Sequence, residues 1–408
     1  MPSIHFIDVT NRDGVQTARI NLAKLQKTML NYYLARLGVH QSEFGFPFLP
    51  TERGYILANL ALAELGAFGD MVLSGWVRAT PQDVERALPM GVRHLNLSMS
   101  TSDQMIVHKF QGRLDRTSVV QEMQEAVRVA RAGGLLTVGV NAEDASRTDL
   151  GYLVEFALAA KEAGADRIRY CDTLGCDSPA VIYRRVKALA EAVGLPLELH
   201  THNDLGMAVA NAVAGAQAAV EAGVDAYVNA TVNGIGERAG NADLLSCILA
   251  LRYANGLRDE LPIGDDLDLS VVWRLARYTS QAFGVPIAIN QPGVGANAFA
   301  HESGIHADGA LKDRQNYELY DCEDIGRVGE LCEPTGRVIT TGEYGGQAGL
   351  QHVYRGLGVD VASNGQAQRL MELVQYASAH TQLPLTDDEL LFIYRYPDQV
   401  RKLLTVTP

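Results

Sequence analysis

The chain has 408 residues, with 48 acidic against 35 basic side chains and a formal charge of −13. That excess repels phosphate backbones and anionic lipid, so neither nucleic acid nor a membrane surface is expected as a partner. A single hydrophobic core stops growing near about 250–300 residues, so one large domain with an appended part is expected. The five cysteines (Cys171, Cys176, Cys247, Cys322 and Cys332) are odd in number and scattered, with no C-x-x-C pair. That pattern fits a reducing, cytoplasmic compartment better than a disulfide framework. No apolar run reaches about 18–20 residues, so no membrane span is predicted. The N-terminus has no basic segment followed by an apolar one, so no signal peptide is expected.

Residues 1–255 alternate short β-rich runs with longer amphipathic ones. Strands are predicted at 4–9, 40–46, 70–76, 92–99, 135–141, 166–171, 195–202 and 225–231. Between them, stretches such as 118–134 and 149–164 repeat apolar residues every three or four positions, the helical period. Thr80-Pro81 and Ser178-Pro179 read as N-caps followed by proline in the first helical turn. Gly164 and Gly223 stand where helices should stop. Eight such repeats match a TM-free α/β architecture of the TIM (β/α)8 barrel type, predicted over residues 1–260. A doubly wound sheet would need a glycine-rich turn after the first strand, and that turn reads Asn11-Arg12-Asp13-Gly14. Beyond residue 260 the alternation fades. A helix is predicted over 270–284. The glycine-rich stretch 290–313 is too long for a routine connection and too rich in His, Glu and Asp for a plain linker. Residues 261–330 are therefore taken as a linker and a small α+β covering subdomain. Residues 331–408 are taken as a helical region, with terminal helices over 366–382 and 386–405.

Alternate strand residues share a face, so His200 and His202 project the same way and can present two imidazoles to one metal ion. Asn203 and Asp204 follow directly, which puts the pair at the end of the seventh strand, where barrel active sites collect. Other polar residues map to the same rim. Arg12 and Asp13 follow strand one, Glu43 lies near the end of strand two, and Glu143 and Asp144 end strand five. Asp172 and Thr173 end strand six, and Asn241 lies in the loop after strand eight. Asp144, Asn203 and Asp204 read as caps and loop solvation. Two imidazoles, a carboxylate and an amide oxygen suit Mg²⁺, Mn²⁺ or Zn²⁺ with open positions. A 2-oxo acid could replace water there, with a neighbouring arginine polarising its keto oxygen. The same parity turns Arg169 and Glu198 into the barrel, where a lone arginine would be costly, so the two are predicted to pair.

Four motifs carry a family resemblance. The first is Arg12-Asp13-Gly14-x-Gln16 with Lys27 downstream. The second is Leu197-x-x-His200-x-His202-Asn203-Asp204-x-Gly206. The third is Gly234-Ile235-Gly236-Glu237-Arg238-Ala239-Gly240-Asn241. The fourth is His301-Glu302-Ser303-Gly304-Ile305-His306-Ala307-Asp308-Gly309, followed by Asn316-Tyr317-Glu318. Together they resemble the barrel metallo-acyltransferases and lyases that comprise homocitrate synthase, 2-isopropylmalate synthase, citramalate synthase and the hydroxymethylglutaryl-CoA lyases. The resemblance implies Asp13, His200, His202 and Asn241 as metal ligands. It implies Arg12 as the arginine on the keto oxygen, and Glu143, His306 and Tyr317 as the groups around deprotonation of the acetyl methyl. It implies Thr173 at the oxo-acid carboxylate and Glu43 as an acid near the metal. The implied reaction condenses acetyl-CoA with a 2-oxo acid and then hydrolyses the thioester. The segment with His306 and Tyr317 would cover the barrel of a partner protomer, giving a homodimer.

Departures from the family pattern narrow the choice. Asn11 stands where leucine is usual and Val15 where many members have glutamate, which is expected to alter the rim beside the metal. The frequent G-K-H-S-G segment reads Thr341-Gly342-Glu343-Tyr344-Gly345-Gly346. The tail is too short for a leucine-sensing regulatory domain, so a feedback-controlled 2-isopropylmalate synthase is not expected. Stretches 91–106 and 140–149 look closest to nitrogen-fixation-type homocitrate synthases and also resemble Re-face citrate synthases, which use oxaloacetate. Gly139 stands where lysine-pathway homocitrate synthases carry an arginine that reads 2-oxoglutarate. Arg53, Ser98 and Ser100 are the candidates for the substrate's distal group. The leading expectation is condensation of acetyl-CoA with a 2-oxo dicarboxylic acid, 2-oxoglutarate giving homocitrate or oxaloacetate giving citrate. The alternatives are 2-isopropylmalate or citramalate synthase activity, a CoA-ester lyase, whose cysteine loop is not apparent, and a metal-binding regulatory protein on a decayed barrel. The spacing of Gly234 to Gly240 is one residue too long for a dinucleotide turn, and the segment reads as a loop closing the metal site.

Overall fold

A computed structural model describes residues 1–258, 260–301, 303–327, 341–343, 346–361 and 365–404. Eight strands close into one parallel barrel in chain order. They are β1 (Ile4–Asp8), β2 (Gln41–Gly45), β3 (Val72–Arg78), β4 (His94–Ser100), β5 (Thr137–Glu143), β6 (Arg167–Asp172), β7 (Leu197–Thr201) and β8 (Ala226–Ala230). All eight expected strands are present, each within two residues of its predicted ends. Strands buried on both faces, such as β6, are what a parallel barrel sheathed by helices requires. The Thr80 hydroxyl caps its helix by accepting from Asp83 N at 3.3 Å. Ser178 occupies the N-cap but makes no such bond, and Pro179 alone marks that helix start.

The barrel interior departs from the usual layers of Val, Ile and Leu. Arg169, Glu43, Glu198, Asn96, Asn141 and Asn229 are all buried there. The expected pair forms: Arg169 Nε donates to Glu198 Oε2 at 2.6 Å. It belongs to a larger network. Arg169 Nη2 reaches Glu43 Oε1 at 2.5 Å, and Arg12 Nε donates to Glu43 Oε2 at 2.7 Å. Arg167 Nε lies 3.1 Å from Glu198 Oε1. Two carboxylates and three guanidiniums thus answer one another along the barrel axis. Burial opposes ionisation of Glu43, but Arg169 and Arg12 outweigh it and bring its pKa down to about 2.

After the barrel the described residues are helical, with a single β-bridge between Ile4 and Ile263. The α+β character expected for the covering segment is therefore corrected to helical among the described residues. Val272–Phe283 forms the expected helix, and Gly304–Lys312 is a further helix within residues 261–330. The single terminal helix expected over 386–405 is two helices, Asp387–Arg395 and Pro397–Leu404. Pro397 has no N–H to continue the first helix, and Tyr396 leaves helical geometry at φ −129° and ψ 50°. These helices pack on the barrel's outer ring, where Tyr33 Oη donates to Asp388 at 2.7 Å and Tyr278 Oη to Glu389 at 2.6 Å. Glu302, Cys332, Tyr344 and Gly345 lie outside the described residues. No helix of the described residues is long and apolar enough to cross a membrane.

Candidate functional site

The chain turns sharply after β1. Arg12 N, Asp13 N and Gly14 N all approach the Val9 carbonyl, at 3.1, 2.8 and 3.2 Å. This holds Arg12 and Asp13 at the barrel mouth. Across it, β7 presents both imidazoles. Asp13 Oδ2 lies 3.3 Å from His200 Nε2 and 3.6 Å from His202 Nε2. The two rings stand nearly perpendicular with centroids 4.9 Å apart. Asn241 is brought alongside by a β-bridge to His202. Gly236 makes room for it, since a Cβ there would fall 2.0 Å from Asn241 Nδ2.

The donor set fits a divalent cation. The Asp13, His200 and His202 donor atoms lie within 4.8 Å of one another. Asp13 Oδ2 and Asn241 Oδ1 are buried without a hydrogen-bond partner among the described residues, a costly arrangement that a bound ion would relieve. Burial lowers the His200 pKa, and burial with the neighbouring His200 ring brings His202 to about 4. Both imidazoles are therefore neutral and able to ligate near pH 7. Burial opposes the Asp13 charge, but Arg12, His200 and His202 hold its carboxyl well below the usual range.

Around this cluster opens a pocket of about 580 Å³. Its wall carries six cations (Arg12, Arg78, Lys109, Arg113, Arg169 and Arg238) against four acids (Asp13, Glu122, Glu143 and Glu237). An acidic protein thus presents a locally positive pocket, suited to anionic substrates. Ser98, Ser100, Glu143 and Thr173 line it as expected. Thr173 Oγ1 accepts from Asp144 N at 2.9 Å. Lys109 Nζ reaches both Glu143 oxygens, at 2.8 and 2.6 Å, and Ser100 Oγ at 3.0 Å. Ser100 also donates to Glu143. Sequence reasoning missed Lys109. It ends a short helix, Asp103–Lys109, that folds back over the rim, and strand parity cannot see that. Of the three residues read as caps and solvation, Asn203 accepts from Ala208 N at 3.1 Å and Asp204 pairs with Arg238 at 2.9 Å. Asp144 is buried and pairs with Arg147 at 2.7 Å.

Several expected site residues lie elsewhere. Glu43 is wholly buried beneath the pocket and is not on its wall; its oxygens are taken by Arg12, Arg169 and Asn96. It positions Arg12 and offers no surface to substrate. Arg53 is exposed at a helix start, with Nη1 3.8 Å from Met90 Sδ, and does not line the pocket. Asn11 points away from the rim, donating to Lys27 O at 2.7 Å and Asn31 Oδ1 at 2.9 Å, so its departure from leucine does not alter the metal's surroundings. His306 and Tyr317 stack with centroids 4.2 Å apart but are exposed and off the pocket wall of their own barrel. Cys171 does line the pocket, but burial pushes its thiol up to about 12, so it carries no thiolate.

A family model described as HMGL-like matches residues 3–278, and one described as homocitrate synthase post-HMGL domain-like matches residues 294–381. The chain belongs to the HMGL-like family. In this HMGL-like chain the two matches are separated by residues 279–293, beyond the last barrel strand. It is 53% identical to a citrate (Re)-synthase of Dehalococcoides mccartyi, over 100% of this chain and 99% of the relative. A 2-isopropylmalate synthase of Caldanaerobacter subterraneus is 39% identical over 96% of this chain and 95% of its own. A homocitrate synthase of Nostoc is 33% identical over 94% and 95%. Among solved structures, the HMG-CoA lyase of Brucella melitensis superposes with a TM-score of 0.57 at 16% identity, covering 70% of this chain and all of its own. That likeness concerns the fold.

Proposed function

We propose that the chain condenses acetyl-CoA with oxaloacetate and hydrolyses the resulting thioester to citrate. The observation that carries this is the Asp13–His200–His202 cluster beside Arg12 in a positive pocket. The 53% identity to a citrate (Re)-synthase over the whole chain supports it. A divalent ion (Mg²⁺, Mn²⁺ or Zn²⁺) held by Asp13, His200, His202 and Asn241 would supply Lewis acidity at the keto group. Arg12, anchored by Glu43, directs its charge to the oxygen on which negative charge develops. Thr173 and Ser98, which line the pocket, would hold the substrate's carboxylates. An acetyl thioester methyl is a very weak acid, so a positioned base is needed. Glu143, gripped by Lys109 and Ser100, supports that base from the chain's own barrel. His306 and Tyr317 complete it from a second copy of the chain. Their absence from the lining of their own pocket supports the homodimer, in which each covering segment serves its partner's barrel.

The choice of oxaloacetate rests on the space at Gly139. A Cβ there would lie 1.9 Å from Asn96 Oδ1. Asn96 is buried and donates to Glu43 Oε1 at 2.5 Å, so it is not free to move aside. No arginine fits at 139 to read the longer 2-oxoglutarate. The test is release of thiol from acetyl-CoA with oxaloacetate, 2-oxoglutarate, pyruvate and 2-oxoisovalerate side by side. One methylene is worth about 1–3 kcal/mol, so oxaloacetate is expected to lead 2-oxoglutarate by roughly 10–200-fold in kcat/KM. A preference for 2-oxoglutarate would make the chain a homocitrate synthase.

Lys109 supplies a further expectation. A hydrogen bond to a charged group contributes about 1.5–3 kcal/mol, so Lys109→Met should cost about 10–100-fold in kcat. Lys109→Arg should retain most of the rate. Unchanged kcat in Lys109→Met would remove Lys109 from the mechanism.

A further inference from the structure

We infer that His5, His40 and Asp265 form a second transition-metal site, at the end of the barrel opposite the pocket. His5 lies in β1, His40 immediately precedes β2, and Asp265 belongs to the segment that leaves the barrel. One donor atom from each lies within 4.8 Å of the others, the same closeness seen for Asp13, His200 and His202.

The surroundings are built as a ligand shell would be. A metal-bound side chain usually has its remaining polar atom fixed by an outer partner. Asp265 Oδ2 accepts from Phe6 N at 2.7 Å, which leaves Oδ1 for the cluster. His5 Nε2 contacts Ser3 Oγ at 3.1 Å, which leaves Nδ1 facing Asp265 Oδ1 at 2.7 Å. A bound cation would replace the single proton shared across that contact. The ring of Tyr227 holds both imidazoles in place, stacked on His5 at 5.1 Å and tilted to His40 at 5.5 Å. Gly264 allows the approach, since a Cβ there would fall 2.3 Å from His5 Cε1. The nearby Arg167 does not oppose a cation with an unanswered charge, because Glu198 lies 3.1 Å from its Nε.

Two imidazoles and one carboxylate favour Zn²⁺, Co²⁺ or Ni²⁺ over Mg²⁺, and three ligands leave an open coordination position. The bound ion would join β1, the start of β2 and the post-barrel segment, and so fasten the covering region to the barrel floor.

The test uses untagged full-length protein, stripped with a chelator, dialysed against ZnCl₂ and assayed for bound metal. Wild type is expected to hold about two equivalents per chain, and His40→Ala and Asp13→Ala about one each. The double variant should hold none. His5→Gln should give the same count as His40→Ala, which keeps the test open if His40→Ala fails to fold. Asp13→Ala loaded with Co²⁺ should show the absorption of a nitrogen and oxygen site without a thiolate charge-transfer band. One equivalent in wild type that Asp13→Ala abolishes, an unchanged count in both His40→Ala and His5→Gln, or a thiolate band would overturn the inference.

Discussion

Asp13→Ala is expected to lose the ion at the pocket and to reduce turnover of acetyl-CoA by about a thousandfold or more. The size follows from the chemistry at the keto oxygen, where metal charge stabilisation is worth several kcal/mol and about 4 kcal/mol is a thousandfold. Asp13 decides the site because Oδ2 is the atom that both imidazoles face, at 3.3 and 3.6 Å. Without it the two histidines and Asn241 offer no anionic ligand, and affinity for a hard dication falls steeply. The fold should survive, since Arg12 keeps its 2.7 Å bond to Glu43. Metal content, circular dichroism and steady-state thiol release check the three parts separately. Retained turnover in a variant shown to lack the ion would remove the metal from the reaction.

Arg169→Met should be the most destabilising single change in the barrel. Its guanidinium is wholly buried and shared by Glu43 and Glu198. Removing one partner of a buried ion pair leaves an uncompensated charge and costs about 3–5 kcal/mol. Urea unfolding at pH 7 measures this directly, and a loss below about 1 kcal/mol, the scale of a surface pair, would contradict it. The same network sets an acid limit. Glu43 is depressed from 4.5 to about 2, so its stabilisation is full above pH 4.5 and is lost as pH falls toward 2. Asp8 acts with the opposite sign. Burial raises it from 3.8 to about 7, so its contribution is full below pH 3.8 and is lost as pH rises through 7. Wild-type stability is therefore expected to fall both below about pH 4.5 and on approach to neutrality. Arg169→Met should move the acid edge upward, toward the ordinary glutamate range.

Much of this was legible beforehand. The eight strands followed from period and from glycine and proline punctuation. Strand parity sufficed to face His200 with His202, and Arg169 with Glu198. The errors share one cause. Arg53 is expected at the pocket from its place in the loop after the second strand, and Glu43 from the resemblance and its place near that strand's end. Depth along the barrel axis and the path of the following helix are not encoded in that position. Glu43 sits below the mouth, and Arg53 starts a helix that turns away from it. Asn11 was misplaced for a related reason, since the tight turn after β1 sends neighbouring side chains in opposite directions.

The opening charge count shows the same division. A net −13 argues against polyanions as partners, because long-range repulsion depends on the sum of charges and needs no geometry. The pocket depends on arrangement instead. Arg78, Lys109 with Arg113, and Arg238 come from three separate segments and meet on one wall. Local rules such as period, parity and capping act over a few residues and can be read from the chain. Contacts between residues dozens of positions apart, such as Lys109 on Glu143 or Arg12 on Glu43, arise only when the barrel closes and sets each loop's direction.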